Sequence, residues 1–150
     1  MLSLTPIGVV RNEVKTPVLH GWGAVVSHLV LDGAYTGALD GLEEYSHVVV
    51  VFWMDRAEAP KSLKRHVQRR EELPIVGIFA SRGPHRPNPI GISAVPIISH
   101  ERNALKVKGL DAIDGTPILD IKPYTPAFDR VDNPQVPDWC RLLYDIEDYF

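Results

Sequence analysis

Short apolar runs separated by connections rich in proline and glycine recur along the chain, and this pattern predicts a protein built mainly of β-strands. The clearest run is 48–54 (Val-Val-Val-Val-Phe-Trp-Met), whose unbroken hydrophobicity is typical of a strand covered on both faces. Further strands are expected over 4–10, 21–31, 75–80, 90–95, 104–110 and 117–122, and short helices over 38–45 and 138–148. No regular alternation of strands with long helices is visible. The pattern therefore predicts an all-β, mainly antiparallel barrel or sandwich of six or seven strands, with short peripheral helices.

The last two predicted strands are joined by a sequence typical of turns. Both 104–110 and 117–122 alternate apolar and polar positions, as a strand exposed on one face does. Between them lies 111–117, with the dipeptide Asp114-Gly115 at its centre. We therefore expect the two strands to pair with each other as a hairpin.

An unusual loop, 81–89 (Ser-Arg-Gly-Pro-His-Arg-Pro-Asn-Pro), lies between the apolar runs 75–80 and 90–95. Its three prolines fix φ and remove backbone donors, so the loop is neither helix nor central strand. It carries Arg82, His85 and Arg86, and the forked guanidinium of arginine matches carboxylate and phosphate groups. We interpret this proline loop as a rigid site for an anionic or planar polar ligand. In the alternative interpretation, Arg82 pairs with an aspartate of 111–117 and only joins two loops.

Composition narrows the class of protein. A chain of 150 residues with 45% hydrophobic and 23% charged residues is ordinary for one domain spanning 1–150. Cys140 is the single cysteine, so the sequence predicts no intramolecular disulfide and no cysteine-based zinc site. The familiar motifs for nucleotide phosphates, serine nucleophiles and paired-histidine metal sites do not occur. We expect a cytoplasmic protein with no metal and no membrane span.

Basic residues cluster just before the proline loop, although the net charge of the chain is −3. The cluster, which we call the basic cluster, comprises Lys61, Lys64, Arg65, Arg69 and Arg70. It has two interpretations, a solvated charged face or a surface for the phosphate backbone of a nucleic acid.

Four stretches of the sequence resemble the TsaA-like family. The most specific is 79–93, which contains the proline loop, and 7–11, 41–47 and 109–124 follow the family's pattern in the same order. The resemblance implies a compact TsaA-like β-barrel, a homodimer, and S-adenosylmethionine as methyl donor. The activity characterised in the family is methylation of N6 of threonylcarbamoyladenosine beside the anticodon of a tRNA. The chain stops at Phe150, so we expect it to lack the carboxy-terminal extension of the characterised bacterial enzyme.

The resemblance also implies which residues bind the cofactor and the substrate. The cofactor-binding positions of the family correspond here to Asn12, Glu13, Val14, Asp55, Arg56, Arg82, Ile92, Asp111, Ala112, Ile113 and Asp114. His85 is the candidate catalytic proton acceptor, and Arg86 with the basic cluster is the candidate tRNA-binding surface. Two alternatives stay open: a methyltransferase of the same family acting on a protein or small molecule, and a module that binds S-adenosylmethionine without catalysis.

Overall fold

The computed structural model describes residues 1–19 and 21–144. The strands are β1 Gly8–Arg11, β2 Val26–Leu31, β3 His47–Trp53, β4 Lys64–His66, β5 Ile75–Gly77, β6 Ile90–His100, β7 Ala104–Lys108 and β8 Pro117–Pro123. The helices are α1 Pro126–Asp129 and α2 Asp138–Tyr144, and several single 3-10 turns lie between strands. Six strands form a closed antiparallel barrel in the order β1-β2-β7-β6-β3-β8, while β4 and β5 form a separate hairpin. The predicted all-β barrel is confirmed.

The barrel core is built by alternation along each strand. In β3, Val48, Val50 and Phe52 are buried, whereas Val49, Val51 and Trp53 are half-buried. The uniformly apolar sequence of this strand thus reflects one fully buried face and one partly covered face. Leu29 of β2 and Ile118 of β8 complete the same core from other strands.

The predicted hairpin between 104–110 and 117–122 is wrong. β7 pairs with β2 and β6, whereas β8 pairs with β1 and β3. The connection 109–116 does not return the chain along β7 but lies across one end of the barrel, where Leu110 and Ala112 are buried. Because these side chains are part of the core, the segment could not be an exposed hairpin turn.

Some element boundaries also differ from the prediction. The region 38–45 forms only the 3-10 turn Leu42–Glu44, because Gly41 adopts a left-handed conformation (φ 96°) that ends any regular helix. The strand predicted for 21–31 begins only at Val26 and follows the 3-10 turn Trp22–Ala24. The predicted carboxy-terminal helix is present from Asp138 to Tyr144, and the rest of that prediction, up to 148, lies outside the described residues.

Antiparallel pairing brings the important connections to one end of the barrel. Arg11 lies opposite His28, and Trp53 lies opposite Ile90, so β1 and β3 end where β2 and β6 begin. β7 likewise ends beside the beginning of β2. The connections 12–25, 54–89 and 109–116 therefore all emerge at this end, which we call the loop end. The proline loop and the β4–β5 hairpin both belong to the 54–89 connection.

Candidate functional site

Asn12 is at the centre of a hydrogen-bond network at the loop end. Its backbone N–H donates to Asp114 Oδ1 (3.0 Å), and its side-chain Nδ2 donates to the Ala112 carbonyl (2.8 Å) and to Ser27 Oγ (2.9 Å). Its Oδ1 accepts the N–H of Val14 (3.0 Å). Both the NH2 group and the oxygen of the Asn12 side-chain amide therefore have partners, and their hydrogen bonds fix the segment after β1 against the 109–116 connection.

Asp114 is surrounded by cationic and N–H donors. Lys15 Nζ lies 2.9 Å from its Oδ2, and Arg11 Nη1 lies 3.9 Å away. The Lys15 ammonium, together with the N–H of Asn12, lowers the pKa of this carboxyl below its usual value, so Asp114 is ionised at neutral pH. Arg56 donates to the Lys15 carbonyl (2.9 Å), which joins the end of β3 to the same network.

The proline loop is joined to the barrel through β6. Arg82 Nη2 donates to the Ile92 carbonyl (2.7 Å), and the next residue, Ser93, donates its hydroxyl to Asp111 Oδ1 (2.5 Å). The proline loop, the start of β6 and the 109–116 connection are therefore held in fixed relative positions. The structure thus brings three of the sequence-predicted cofactor residues (Arg82, Ile92 and Asp111) into one chain of contacts.

A cavity of about 400 Å³ adjoins these contacts. It lies beside the point where β6 parts from β7, because β6 pairs with β3 over 90–96 and with β7 only from Ile97 onward. It is lined by Trp22, Gly23, Ser93, Ala94, Val95, Pro96, Lys108, Gly109 and Asp111. Its volume lies in the range of small-ligand sites. Sequence reasoning missed Trp22 and Lys108; the only signal was the placement of Trp22 between two glycines.

The remaining predicted cofactor residues lie around the same end. Glu13 and Asp55 are exposed on the connections that follow β1 and β3, and Ile113 is half-buried within the 109–116 connection. They are adjacent in sequence to Asn12, Arg56 and Asp114 of the network described above, so the loop end gathers every predicted cofactor-binding segment.

His85 has hydrogen-bond partners on both ring nitrogens. Its Nδ1 lies 3.0 Å from the Glu58 carbonyl, and its Nε2 lies 3.4 Å from Arg69 Nη2. Because a guanidinium can only donate, this geometry places the ring proton on Nδ1 and leaves Nε2 as the acceptor. His85 therefore joins the proline loop to the β4–β5 hairpin in this structure.

Arg86 makes contacts within the proline loop and with Ile78, just before it. Its guanidinium donates to the carbonyls of Ile78 (3.3 Å), Ser81 (3.2 Å) and Gly83 (3.4 Å). These bonds give Arg86 a role in shaping the loop, and its binding to tRNA stays a prediction.

The basic cluster lies on and just before the β4–β5 hairpin. Lys61, Lys64, Arg69 and Arg70 are exposed, and Arg70 pairs with Glu72. The hairpin packs against α2 through a second small core, which comprises Val67, Leu73, Val76, Trp139 and Leu143. The cluster therefore lies on a hairpin that is packed against α2 and joined to the proline loop through Arg69 and His85, and its binding to a nucleic acid stays a prediction.

Two general features of the described residues concern metals and membranes. Residues 1–19 and 21–144 contain no group of three His, Cys, Asp or Glu side chains placed to hold a metal ion. Among the same residues, no helix is both long and apolar enough to cross a membrane.

The fold and this site define a class of protein, a small antiparallel β-barrel with a cavity of mixed apolar and polar lining beside the connections at one end. Residues 12–130 match the model of the tRNA-methyltransferase O N-terminal domain, and the chain belongs to this family. The resemblance found in the sequence is thereby confirmed.

Relatives and solved structures agree with this assignment. An S-adenosyl-L-methionine-binding protein from Archaeoglobus fulgidus is 41% identical over 135 residues, which cover 87% of this chain and 95% of that protein. A mouse tRNA (adenine(37)-N6)-methyltransferase is 41% identical over 97 residues, covering 64% of this chain and 22% of the mouse protein. A crystal structure of TrmO from Pseudomonas aeruginosa superposes with a TM-score of 0.75 at 34% identity and covers 93% of this chain. The present chain spans 62% of that crystallised chain.

Proposed function

We propose that the protein is an S-adenosylmethionine-dependent methyltransferase whose acceptor is N6 of threonylcarbamoyladenosine beside the anticodon of a tRNA. Its family and the names of its relatives support methyl transfer. The observation that carries the proposal is the network at the loop end, where Asn12, Asp114, Arg82 and Asp111 are fixed by hydrogen bonds.

The residues at the loop end fit this cofactor by their chemistry. Asp111 and Asp114 supply carboxylates near a cavity of suitable size, and a carboxylate stabilises the positive sulfonium of S-adenosylmethionine. Ile92 is 52% exposed beside Arg82, and therefore offers an apolar surface next to polar groups. Such a combination is typical of sites for ligands that carry both a planar base and charged groups.

Catalysis would consist mainly of positioning. When bound, S-adenosylmethionine would supply the methyl group of its sulfonium: a C–N bond would form to the nitrogen nucleophile as the C–S bond breaks, and S-adenosylhomocysteine would leave. The proline loop and the Asn12 network would hold the residues around the two reactants in place, and such positioning contributes strongly to a direct transfer. His85 accepts the proton that leaves the nitrogen, at Nε2, once the Arg69 side chain turns away from it.

The basic cluster would bind the phosphates of the tRNA. Lys61, Lys64 and Arg69 are exposed on the same connection that carries the proline loop. Because phosphate contacts position a nucleic acid without reading its sequence, this surface would orient the anticodon toward the loop end. For a protein with a tRNA substrate, we expect a cytoplasmic location.

A labelled-methyl assay tests the proposed function. Wild-type protein is incubated with S-adenosylmethionine labelled at the methyl group and with bulk tRNA, either carrying or lacking the threonylcarbamoyl modification. Label on the modified tRNA alone is expected. Label on unmodified tRNA, or only on a protein or small-molecule fraction of an extract, would replace the proposed acceptor with another one.

A second candidate function is binding of S-adenosylmethionine without catalysis. The Archaeoglobus fulgidus relative, of which this chain covers 95%, is named only as a binding protein. Tight binding of the cofactor together with the absence of transfer to any extract fraction would favour this candidate.

We also propose that the protein works as a homodimer. Exposed apolar side chains on the barrel strands, including Val26, Val30 and Ile98, offer surface that a second copy would cover. Light scattering measures the mass directly, and a monomer mass at micromolar concentration would refute the dimer.

A further inference from the structure

A second cavity, of about 420 Å³, lies between the proline loop and α2. It is lined by Phe79, Ala80, Ser81, Arg82, Val136, Trp139, Cys140 and Arg141. The match to the family model ends at residue 130. Half of the lining residues, from Val136 to Arg141, follow that point in the chain. The cavity is separate from the one beside Trp22, but it shares Arg82 with the network at the loop end.

The lining of this cavity combines aromatic rings with guanidinium groups. Phe79 is 77% exposed, so most of its ring is open to a ligand, and Trp139 is half-buried against the hairpin core. Arg82 and Arg141 are exposed at the same cavity. Aromatic faces beside arginines are the usual means by which proteins hold unpaired bases of RNA, since every base has a face to stack and a phosphate beside it.

The charge around the cavity matches the same ligand. Residues 61–89, which contain the hairpin and the proline loop, carry seven Lys or Arg and two Glu, although the whole chain has a net charge of −3. Trp139 packs on the hairpin that carries the basic cluster and also lines the cavity, so the hairpin and the cavity are joined through this side chain. Positive charge concentrated at this place attracts a phosphate backbone locally.

We propose that this cavity receives an unstacked base of the RNA strand that carries the acceptor nucleoside. The base stacks on Phe79 and Trp139, while Arg82 and Arg141 contact its flanking phosphates. The cavity thereby places the strand next to Arg82, and so beside the cofactor site. This inference rests on the proposed tRNA substrate and names the residues that would hold it.

The first test is binding of a fluorescently labelled anticodon stem-loop RNA, measured by anisotropy. Phe79→Ala should raise Kd by roughly 5- to 100-fold, because it removes one stacking face, whereas Phe79→Tyr should restore binding. The matched control is Phe128→Ala, since Phe128 is 87% exposed on α1, which follows β8 at the opposite end of the barrel. An equal Kd for Phe79→Ala and Phe128→Ala would overturn the inference, as would failure of the RNA to bind the wild-type protein.

The second test uses the single cysteine of the chain as a reporter. Cys140 lines the cavity and is half-buried, so a thiol reagent can report its accessibility in the unmodified protein. Saturating RNA should slow the modification of Cys140 severalfold. An unchanged rate in the presence of bound RNA would place the RNA elsewhere and overturn the inference.

The two tests separate this inference from the proposed activity. Loss of RNA binding in Phe79→Ala, with no methyl transfer by the wild type, would support the cavity and refute the activity. Methyl transfer to modified tRNA that is unaffected by Phe79→Ala, with Cys140 unprotected, would support the activity and refute the cavity.

Discussion

Asn12 and Asp114 are 102 residues apart in sequence, yet the backbone N–H of Asn12 donates to the Asp114 carboxylate at 3.0 Å. In the opposite direction, the backbone N–H of Asp114 donates to the Val14 carbonyl at 2.8 Å. The segments after β1 and before β8 are thus joined by reciprocal hydrogen bonds. These bonds hold the two ends of the candidate cofactor site together.

Replacement of Asn12 tests this connection. Asn12→Ala removes the donor to Ala112 and Ser27, and Ser27 is fully buried. We expect the free energy of unfolding to fall by about 1–3 kcal/mol, because buried polar groups lose their partners. Urea unfolding measures this change, and calorimetry should show weaker binding of S-adenosylmethionine. Glu13→Gln, an exposed neighbour, is the control for stability, and equal stability of the two variants would contradict the role of Asn12.

Asp114 makes stability depend on pH in the acid range. Its pKa is lowered in the folded state, chiefly by Lys15, so its stabilising contribution is complete above the unfolded pKa of about 4 and disappears as the pH falls through the folded value. Asp114→Asn should therefore be less stable than wild type at pH 7, and the difference should shrink at about pH 3. Urea unfolding of the variant and the wild type at both pH values measures the difference in their free energies of unfolding.

The matched control for Asp114 is Asp120→Asn. Asp120 pairs with Lys122 on an exposed surface (2.8 Å), where an ion pair contributes little. If the difference in stability between Asp114→Asn and wild type stayed constant from neutral to acid pH, ionisation of the Asp114 carboxyl would not be what stabilises the fold.

Gly91 leaves no room for a side chain. A Cβ at this position would overlap the ring of Phe52, its cross-strand neighbour in β3. Gly91→Ala should cost about 1–3 kcal/mol through overpacking, and it should displace the adjacent Ile92. Thermal unfolding and cofactor titration measure the two effects. Gly83→Ala in the proline loop, where a Cβ meets nothing within 4 Å, should leave stability unchanged or slightly raised.

Charge on the basic cluster should control tRNA binding but not cofactor binding. The double variant Lys61→Gln/Lys64→Gln should weaken tRNA binding and make it less dependent on salt. The slope of log K against log salt concentration should become shallower by up to roughly 0.7–0.9 for each phosphate that the protein no longer neutralises. Arg102→Gln/Arg130→Gln changes net charge equally at the opposite end of the barrel and should have no such effect. Equal salt slopes in the two variants, or an equal loss of cofactor affinity, would refute the assignment.

His85→Gln tests the proposed proton acceptor. The rate of methyl transfer should fall by about 100- to 10,000-fold, while the Kd for S-adenosylmethionine stays unchanged. Arg69→Gln frees His85 Nε2 and should retain the rate of the chemical step under saturating tRNA. Full activity of His85→Gln would limit His85 to its structural contacts.

The sequence predicted the strands because their signals are local, whereas the choice of a barrel over a sandwich came from the family resemblance. The unbroken apolar run at 48–54 corresponds to β3, and the alternation of apolar and polar residues at 104–110 and 117–122 corresponds to β7 and β8. The Asp114-Gly115 turn is also present, with Gly115 at φ 85°. The pairing of β7 with β8 was wrong because a turn sequence fixes the local direction of the chain but not the neighbour that a strand finds when a barrel closes.

The candidate site was predictable as a set of segments but not as an arrangement. The proline loop carried an unusual composition, and the resemblance assigned Asn12 and Arg82 to one site. That Arg82 donates to a carbonyl of β6, and that Arg86 donates to its own loop, depends on side-chain geometry that no sequence pattern encodes. The cavity beside Trp139 depends likewise on how α2 packs against the hairpin.

The pairing of β1 with β8 has a consequence for how the protein folds. Gly8 lies opposite Ile118, so closure of the barrel joins the first strand to the last one, and contacts of such large sequence separation form slowly. The Asn12–Asp114 hydrogen bond lies just beyond this seam. We therefore expect the chain to gain affinity for S-adenosylmethionine only in its final folding phase, so that the cofactor acts as a probe of a fully closed molecule in stopped-flow refolding.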